Sequence, residues 1–231
     1  MIRWHHGRDS RILNSAERAS MAVSAGGLGS LVGLDGSDSL AHVHRLCGYQ
    51  SPMVDLADAV HGICAVHGAH PGIVDHALAR DGGSPAAEWL ARAATGFAVE
   101  RTYIATLTAS VGPLPSTPGQ AETEAALVTQ RHALDMLACS DRFGVSLGAA
   151  VALVLDWPAI RTLLDHAAER SGIACDAMLL PRPAATNAML GALALTPAID
   201  RAMKFGTQQV LAQHRALWQL LEARAEARGA R

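Results

Sequence analysis

Glu100 stands at the centre of an apolar stripe. At helical spacing its face-mates are Trp89, Ala93, Phe97, Tyr103, Ile104, Leu107 and Val111. A carboxylate there must be paired, hydrogen-bonded, metal-bound or protonated. The pattern recurs along the chain. His132 and Asp135 share a face with Ala125, Val128, Met136 and Cys139, and His67 follows Val60, Ile63 and Cys64. His214 shares the stripe of Met203, Val210, Leu217 and Leu221, and Glu17 that of Leu13, Met21, Ser24, Leu28 and Leu31. His61, Asp55 and Asp58 fall on the side of their helix away from His67.

Such a set supports three arrangements. Glu100, Tyr103, His132 and Asp135 would line a pocket for a small-molecule ligand. Glu17, His67, Glu100, His132 and His214 are the candidate ligands of a divalent metal ion, because bundles build metal sites from carboxylates and imidazoles projecting inwards. The third arrangement is a structural network in which Glu100 pairs with His132 or with an arginine, Arg101, Arg142 and Arg201 being available. His5-His6, His42-x-His44 and His67-x-x-His70 add imidazoles, but no spacing among them is diagnostic of a metal.

The elements that must carry these residues are helices. Asn14 or Ser15 caps a first one, running to about Gly26 and on towards Gly33, with Glu17 in its first turns. A short helix follows Ser39, and another runs from Pro52 to about Gly68, where His70-Pro71-Gly72 ends or kinks it. A further piece spans residues 73–80. Ser84-Pro85 opens the helix of Glu100, which reaches Val111. Three prolines make the Gly112 to Gly119 segment an exposed loop, expected to join two antiparallel neighbours. The next helix starts near Gln120 and can continue to Leu155. Asp156-Trp157-Pro158 restarts one that ends at Ser171-Gly172, and a short helix and a long one from Thr196-Pro197 complete the chain.

These elements predict an all-α, single-domain multi-helix bundle over residues 1–231, with residues 1–13 as a flexible N-terminal segment. The layout is compatible with a ferritin-like architecture. The ferritin-like metal motif needs Glu-x-x-His, which occurs nowhere; Asp58-Ala59-Val60-His61 is the nearest match. Composition agrees with helix-on-helix packing, since half the residues are hydrophobic yet only 4% are aromatic, leaving a core of Ala, Leu, Val and Ile.

Several function classes lose support. A net charge of −2 offers no field for nucleic acid. The apolar run Phe143 to Leu155 is too short to span a bilayer and stops at Asp156 and Pro158, so no membrane partner is expected. The first residues lack the apolar core of a secretory signal, which makes the cytoplasm the expected location. Cys47, Cys64, Cys139 and Cys175 form no CxxC and read as free thiols. The stretch from Gly26 to Gly33 follows a helical pattern and lacks the Lys-Ser/Thr of a phosphate loop. No Gly-x-Ser-x-Gly marks a nucleophile.

The reaction class and the substrate are not legible, and neither is whether the chain is an enzyme. The best reading is a bundle with a buried Glu/His pocket for a small ligand or metal. The alternative is a non-catalytic interaction or assembly protein, with a homo-oligomer as one form, whose buried polar groups fix helix register. Convergence discriminates them: Glu100, His132 and His214 meeting in one cavity favours the pocket, and separate satisfaction favours the assembly protein.

Overall fold

The computed structural model describes residues 27–229. Among them the regular structure is entirely helical. Helix α1 covers residues 27–35, and a single turn of 3-10 helix spans Ser37–Ser39. There follow α2 (Ala41–Leu46), α3 (Met53–His67), α4 (Ile73–Asp81), α5 (Ala87–Ser110), α6 (Gln120–Ala138), α7 (Val145–Arg170), α8 (Pro183–Ala192) and α9 (Pro197–Gly229). They form one compact domain, the expected all-α bundle. The expected cap at Asn14 or Ser15, Glu17 and the segment 1–13 lie outside the described residues.

Local chemistry explains most of the boundaries. The Asp75 carboxylate accepts the Gly72 N–H at 2.8 Å and starts α4. The Ser84 hydroxyl accepts the Ala86 N–H at 3.1 Å just ahead of α5, and the Thr196 hydroxyl accepts the Ile199 N–H at 3.3 Å ahead of α9. Pro183 occupies the first turn of α8, where its missing donor costs nothing.

Two boundaries differ from the sequence reading. The helix begun at Gln120 does not continue to Leu155. It stops at Ala138, and Gly144, at φ +93°, turns the chain into α7. Arg80 fixes this corner by donating to the Cys139 carbonyl at 3.1 Å and to Asp141 at 2.9 Å. Conversely, Pro158 restarts nothing, because α7 runs through it. Asp156, Trp157 and Arg161 around it are all buried and held by other elements, and that packing outweighs the roughly 3 kcal/mol a proline costs in a helix interior. The continuous α7 is long and apolar enough to cross a membrane by length and composition, but 78% of its apolar window is buried inside the bundle.

Helix α7 packs most extensively on α9, where the two backbones touch. A methyl group at Gly148 would run into the Met203 backbone, and one at Gly206 into the Val145 carbonyl. The Thr207 hydroxyl donates to the Gly148 carbonyl at 3.0 Å in the same crossing. Helix α3 touches α5, α6, α7 and α9. Helices α5 and α6 are not the close neighbours expected from their short connection, since each packs on α3 and α4, which stand between them. The connecting loop is pinned: the Pro115 carbonyl accepts from Arg224 at 3.3 Å, and the Thr117 hydroxyl from Arg228 at 2.8 Å.

Candidate functional site

Glu100 is fully buried, as its stripe requires. Its partners come from α7. Trp157 Nε1 donates to Oε2 at 2.8 Å and Arg161 Nη1 to Oε1 at 2.7 Å. Burial pushes the Glu100 carboxyl up, and the bonds from Trp157 and Arg161 pull it back only in part. Arg161 also donates from Nε to Asp165 at 2.7 Å, and its guanidinium lies 4.1 Å over the Tyr103 ring. The Tyr103 hydroxyl donates to Asp165 at 2.8 Å. Burial, then bonding to Cys175 and Asp165, pushes that phenol up. Both Glu100 oxygens are thus occupied by donors, and the cluster is a closed network. The sequence reading names other arginines as the partner. Arg161 meets Glu100 because α7 docks on α5, across 61 residues of sequence.

A second buried chain links α3, α7 and α9. His214 Nδ1 lies 2.6 Å from Asp156 Oδ2, and His214 Nε2 lies 3.1 Å from His67 Nε2. Ser37 adds two donors to Asp156, its N–H and its hydroxyl, each at 2.7 Å. The Ser37 oxygen in turn accepts Trp218 Nε1–H at 2.9 Å. Burial works against the Asp156 charge, but the bonds from His214 and Ser37 outweigh it and hold the carboxyl below its usual range. Burial, then the neighbouring His214, pushes His67 well below the ordinary imidazole value. The two facing Nε2 atoms share one proton, donated from one ring to the other, and the Asp156 carboxylate accepts from His214 Nδ1–H.

The metal reading gains no donor set here. His67 and His214 do meet, but their facing nitrogens bond each other. Glu100 is taken by Arg161, and Glu17 lies outside the described residues. Among the described residues no group of three or more His, Cys, Asp or Glu side chains is placed to hold a metal ion.

His132 requires a correction. It is exposed and does not pair with Glu100. The stripe that α6 buries contains Thr123, Gln130, Leu134 and Ala138, whereas Val128 and Met136 are 70% and 61% exposed. The helix is rotated from the phase that Val128 and Met136 suggest, because an apolar residue at a rim is as stable as the groove beside it allows. Asp58 is corrected too: it is buried, not outward.

His132 and Asp135 nevertheless line a cleft of about 590 Å³ between α3, α6 and α9. Its walls are Gly62, Ala65, Leu127, Val128, Leu220 and Leu221. At one end Arg224 forks onto both Asp58 oxygens, with Nε to Oδ2 at 2.8 Å and Nη2 to Oδ1 at 2.9 Å. Arg224 Nη1 reaches the Gln120 and Thr123 oxygens at 3.1 and 3.0 Å. Arg228 joins Asp58 to Asp55, at 2.7 Å to each. This latch fixes α3 to α9 and to the 112–119 loop. Its signal in the sequence is Arg224 in register with Leu217 and Leu221.

His61 lines the cleft beside the 112–119 loop, its Nε2 2.9 Å from the Gly112 carbonyl oxygen, and Arg131, His132 and Asp135 line it towards the end of α6. Behind it is a cavity of about 20 Å³, lined in part by His67, Arg101, Arg131 and Asp135. Arg131 and Asp135 therefore border both spaces, 3.9 Å apart. Sequence reasoning groups Glu100, Tyr103, His132 and Asp135 in one pocket; His132 and Asp135 line the cleft, and Glu100 and Tyr103 do not.

No curated protein and no solved structure matches the chain. A family model does match, over residues 32–229, which takes in every residue of the cleft and of both buried networks. The chain belongs to that family, the family of unknown function DUF6975.

Proposed function

We propose that this protein binds a small amphipathic molecule in the cleft between α3, α6 and α9, and that its buried polar networks hold the helices that shape the cleft. The observation that carries this reading is the cleft itself. Its volume of about 590 Å³ is that of a ligand pocket, whereas packed cores rarely leave voids larger than a water. Aliphatic walls end in charged groups at both extremities, which suits a ligand with an apolar body and a polar head. Glu100 and His214 are satisfied separately, which by itself favours the assembly reading; the ligand reading rests on the cleft, which neither residue lines.

The test is titration with 1-anilinonaphthalene-8-sulfonate, followed by fluorescence, on the wild type and on Ala65→Trp. Ala65 is exposed within the cleft, so an indole there fills the space without entering the core. Saturable binding in the wild type, lost in Ala65→Trp at unchanged melting temperature, is the expected result. Equal binding by both proteins places the dye elsewhere and removes the reading.

The assembly reading has its own observation. Val128 and Met136 leave apolar surface uncovered on one helix. Sedimentation equilibrium decides it: a dimer that Val128→Glu dissociates would make the cleft part of an interface between two copies.

A further inference from the structure

We infer that a second copy of this chain docks on α6 with its own α6, antiparallel, about a two-fold axis beside His132. The inference needs no ligand in the cleft. It rests on the uncovered apolar surface that the assembly reading names, and adds the partner's element and register.

The stripe that the sequence marks as the buried face of α6 points into solvent. Ala125, Val128, His132, Met136 and Cys139 keep helical spacing, and Ala121 extends them by one turn. The bundle buries a different face, that of Thr123, Gln130, Leu134 and Ala138, and leaves all six stripe residues exposed. The outward face of a surface helix ordinarily carries its charges. Here no Asp, Glu, Lys or Arg stands on it. The charges flank the stripe instead: Glu122 on one side, and Glu124, Arg131 and Asp135 on the other, towards the cleft. A helix that is apolar inside and again outside, with charge confined to its flanks, is shaped to receive another helix.

Symmetry selects the occupant. In a two-fold contact residue i meets j and residue j meets i. Val128 and Met136 are equally spaced on either side of His132. Reversing a second α6 over the first therefore sets Val128 against the partner's Met136 at both ends of the contact. The same rotation, about an axis across the helix, keeps the cleft flank of one α6 against the cleft flank of the other. Arg131 then stands beside the partner's Asp135, twice over. Both side chains are free to do this, since they are half-exposed and, at 3.9 Å within one chain, make no hydrogen bond. A parallel pair would bring Arg131 against Thr129 and Ala133 instead, which offer no charge. Exposed ion pairs add little affinity, so Arg131 and Asp135 set the register and the apolar stripe supplies the contact. The 19 residues of α6 give a contact about 28 Å long. One helix pair lies at the low end of specific interfaces, so the dimer is weak. The two clefts open side by side in it, with the partner's Met136 over the Val128 rim of each.

Sedimentation equilibrium of the full chain up to about 500 µM should show monomer and dimer with a dissociation constant of about 10–100 µM. Arg131→Glu sets acid against acid, and Asp135→Arg sets base against base. Each should weaken the dimer by about tenfold or more. Mixed in equal amounts, the two variants should associate with each other, because every flank then meets its opposite charge. Oxidation with copper–phenanthroline, in a Cys139→Ser background, reads the register. His132→Cys, at the axis, should give a disulfide-linked dimer. Val128→Cys, about 12 Å along the helix from its own mate, should not. All these positions are exposed or half-exposed, and circular dichroism melting of each variant checks that it folds. If the wild type stays monomeric at the highest concentration, the inference falls together with the assembly reading, the stripe belongs to another occupant, and the cleft reading is untouched. If the wild type dimerises but the charge variants do not recombine, or Val128→Cys links as readily as His132→Cys, the antiparallel register is refuted and the assembly reading alone stands.

Discussion

His67 and His214 face each other across the core with their Nε2 atoms 3.1 Å apart, and only one of the two can carry the proton between them. The acid response of the fold follows from this pair. His67 is held well below its ordinary value in the folded chain, by burial first and then by His214. Between its folded value and about 6.5, the value expected on unfolding, the unfolded chain binds more protons. The stability tied to a neutral His67 is therefore complete above about pH 6.5 and is lost as pH falls below it. Asp156, also lowered, adds a loss of the same sign below about pH 3.8. Glu100 is raised and works in the opposite sense, favouring the folded chain as it takes up a proton. Melting temperatures should thus decline from pH 7 to pH 5. His67→Gln, which keeps a donor towards His214, should flatten that decline; an unchanged slope would place the acid sensitivity elsewhere.

Glu100→Gln should lower stability by about 1–3 kcal/mol, because the amide keeps the shape but weakens two bonds to Trp157 and Arg161. Glu100→Ala should cost more, about 3–5 kcal/mol, since it leaves the Arg161 guanidinium buried with one carboxylate fewer. Neither change should alter dye binding in the cleft, which Glu100 does not line. Urea unfolding and dye titration of the same samples check both statements, and loss of binding at full folding would return Glu100 to the site.

Gly148→Ala should destabilise by about 1–3 kcal/mol or more, because the new methyl meets the Met203 backbone, which cannot step aside as a side chain could. Gly33→Ala is the control. It is exposed in α1 with nothing within 4 Å of the added carbon, and should stabilise by about 0.5–1 kcal/mol. Thermal unfolding of the two variants side by side tests the close approach of α7 to α9. Equal effects would deny it.

The 112–119 loop should resist proteolysis despite its lack of regular structure, because Arg224 and Arg228 hold Pro115 and Thr117. Subtilisin should cut first in the exposed stretch 174–179, between α7 and α8. Asp58→Ala unlatches both arginines and should move early cleavage into the loop. Mass spectrometry of the first fragments reads the order, and first cleavage of the wild type within 112–119 would contradict the latch.

The sequence by itself determined the helices, most of their breaks, and the burial of Glu100. In α5 a single wide apolar stripe fixes the phase, and Glu100 lies on it whatever the neighbours are. Helix α6 has no such single stripe. Val128 and Met136 compete with Leu127, Leu134 and Ala138, and local periodicity cannot choose between two faces of similar apolarity. The groove left beside α3 and α9 decided it, turning His132 outwards. The partners of the buried charges were equally beyond local rules. Arg161 reaches Glu100, and His214 reaches Asp156, across separations of 61 and 58 residues. Which buried charge meets which is set by how α7 docks on α5 and α9. That docking depends on side-chain volumes summed over whole interfaces, such as the bare backbone at Gly148 and Gly206, and on no motif readable along the chain.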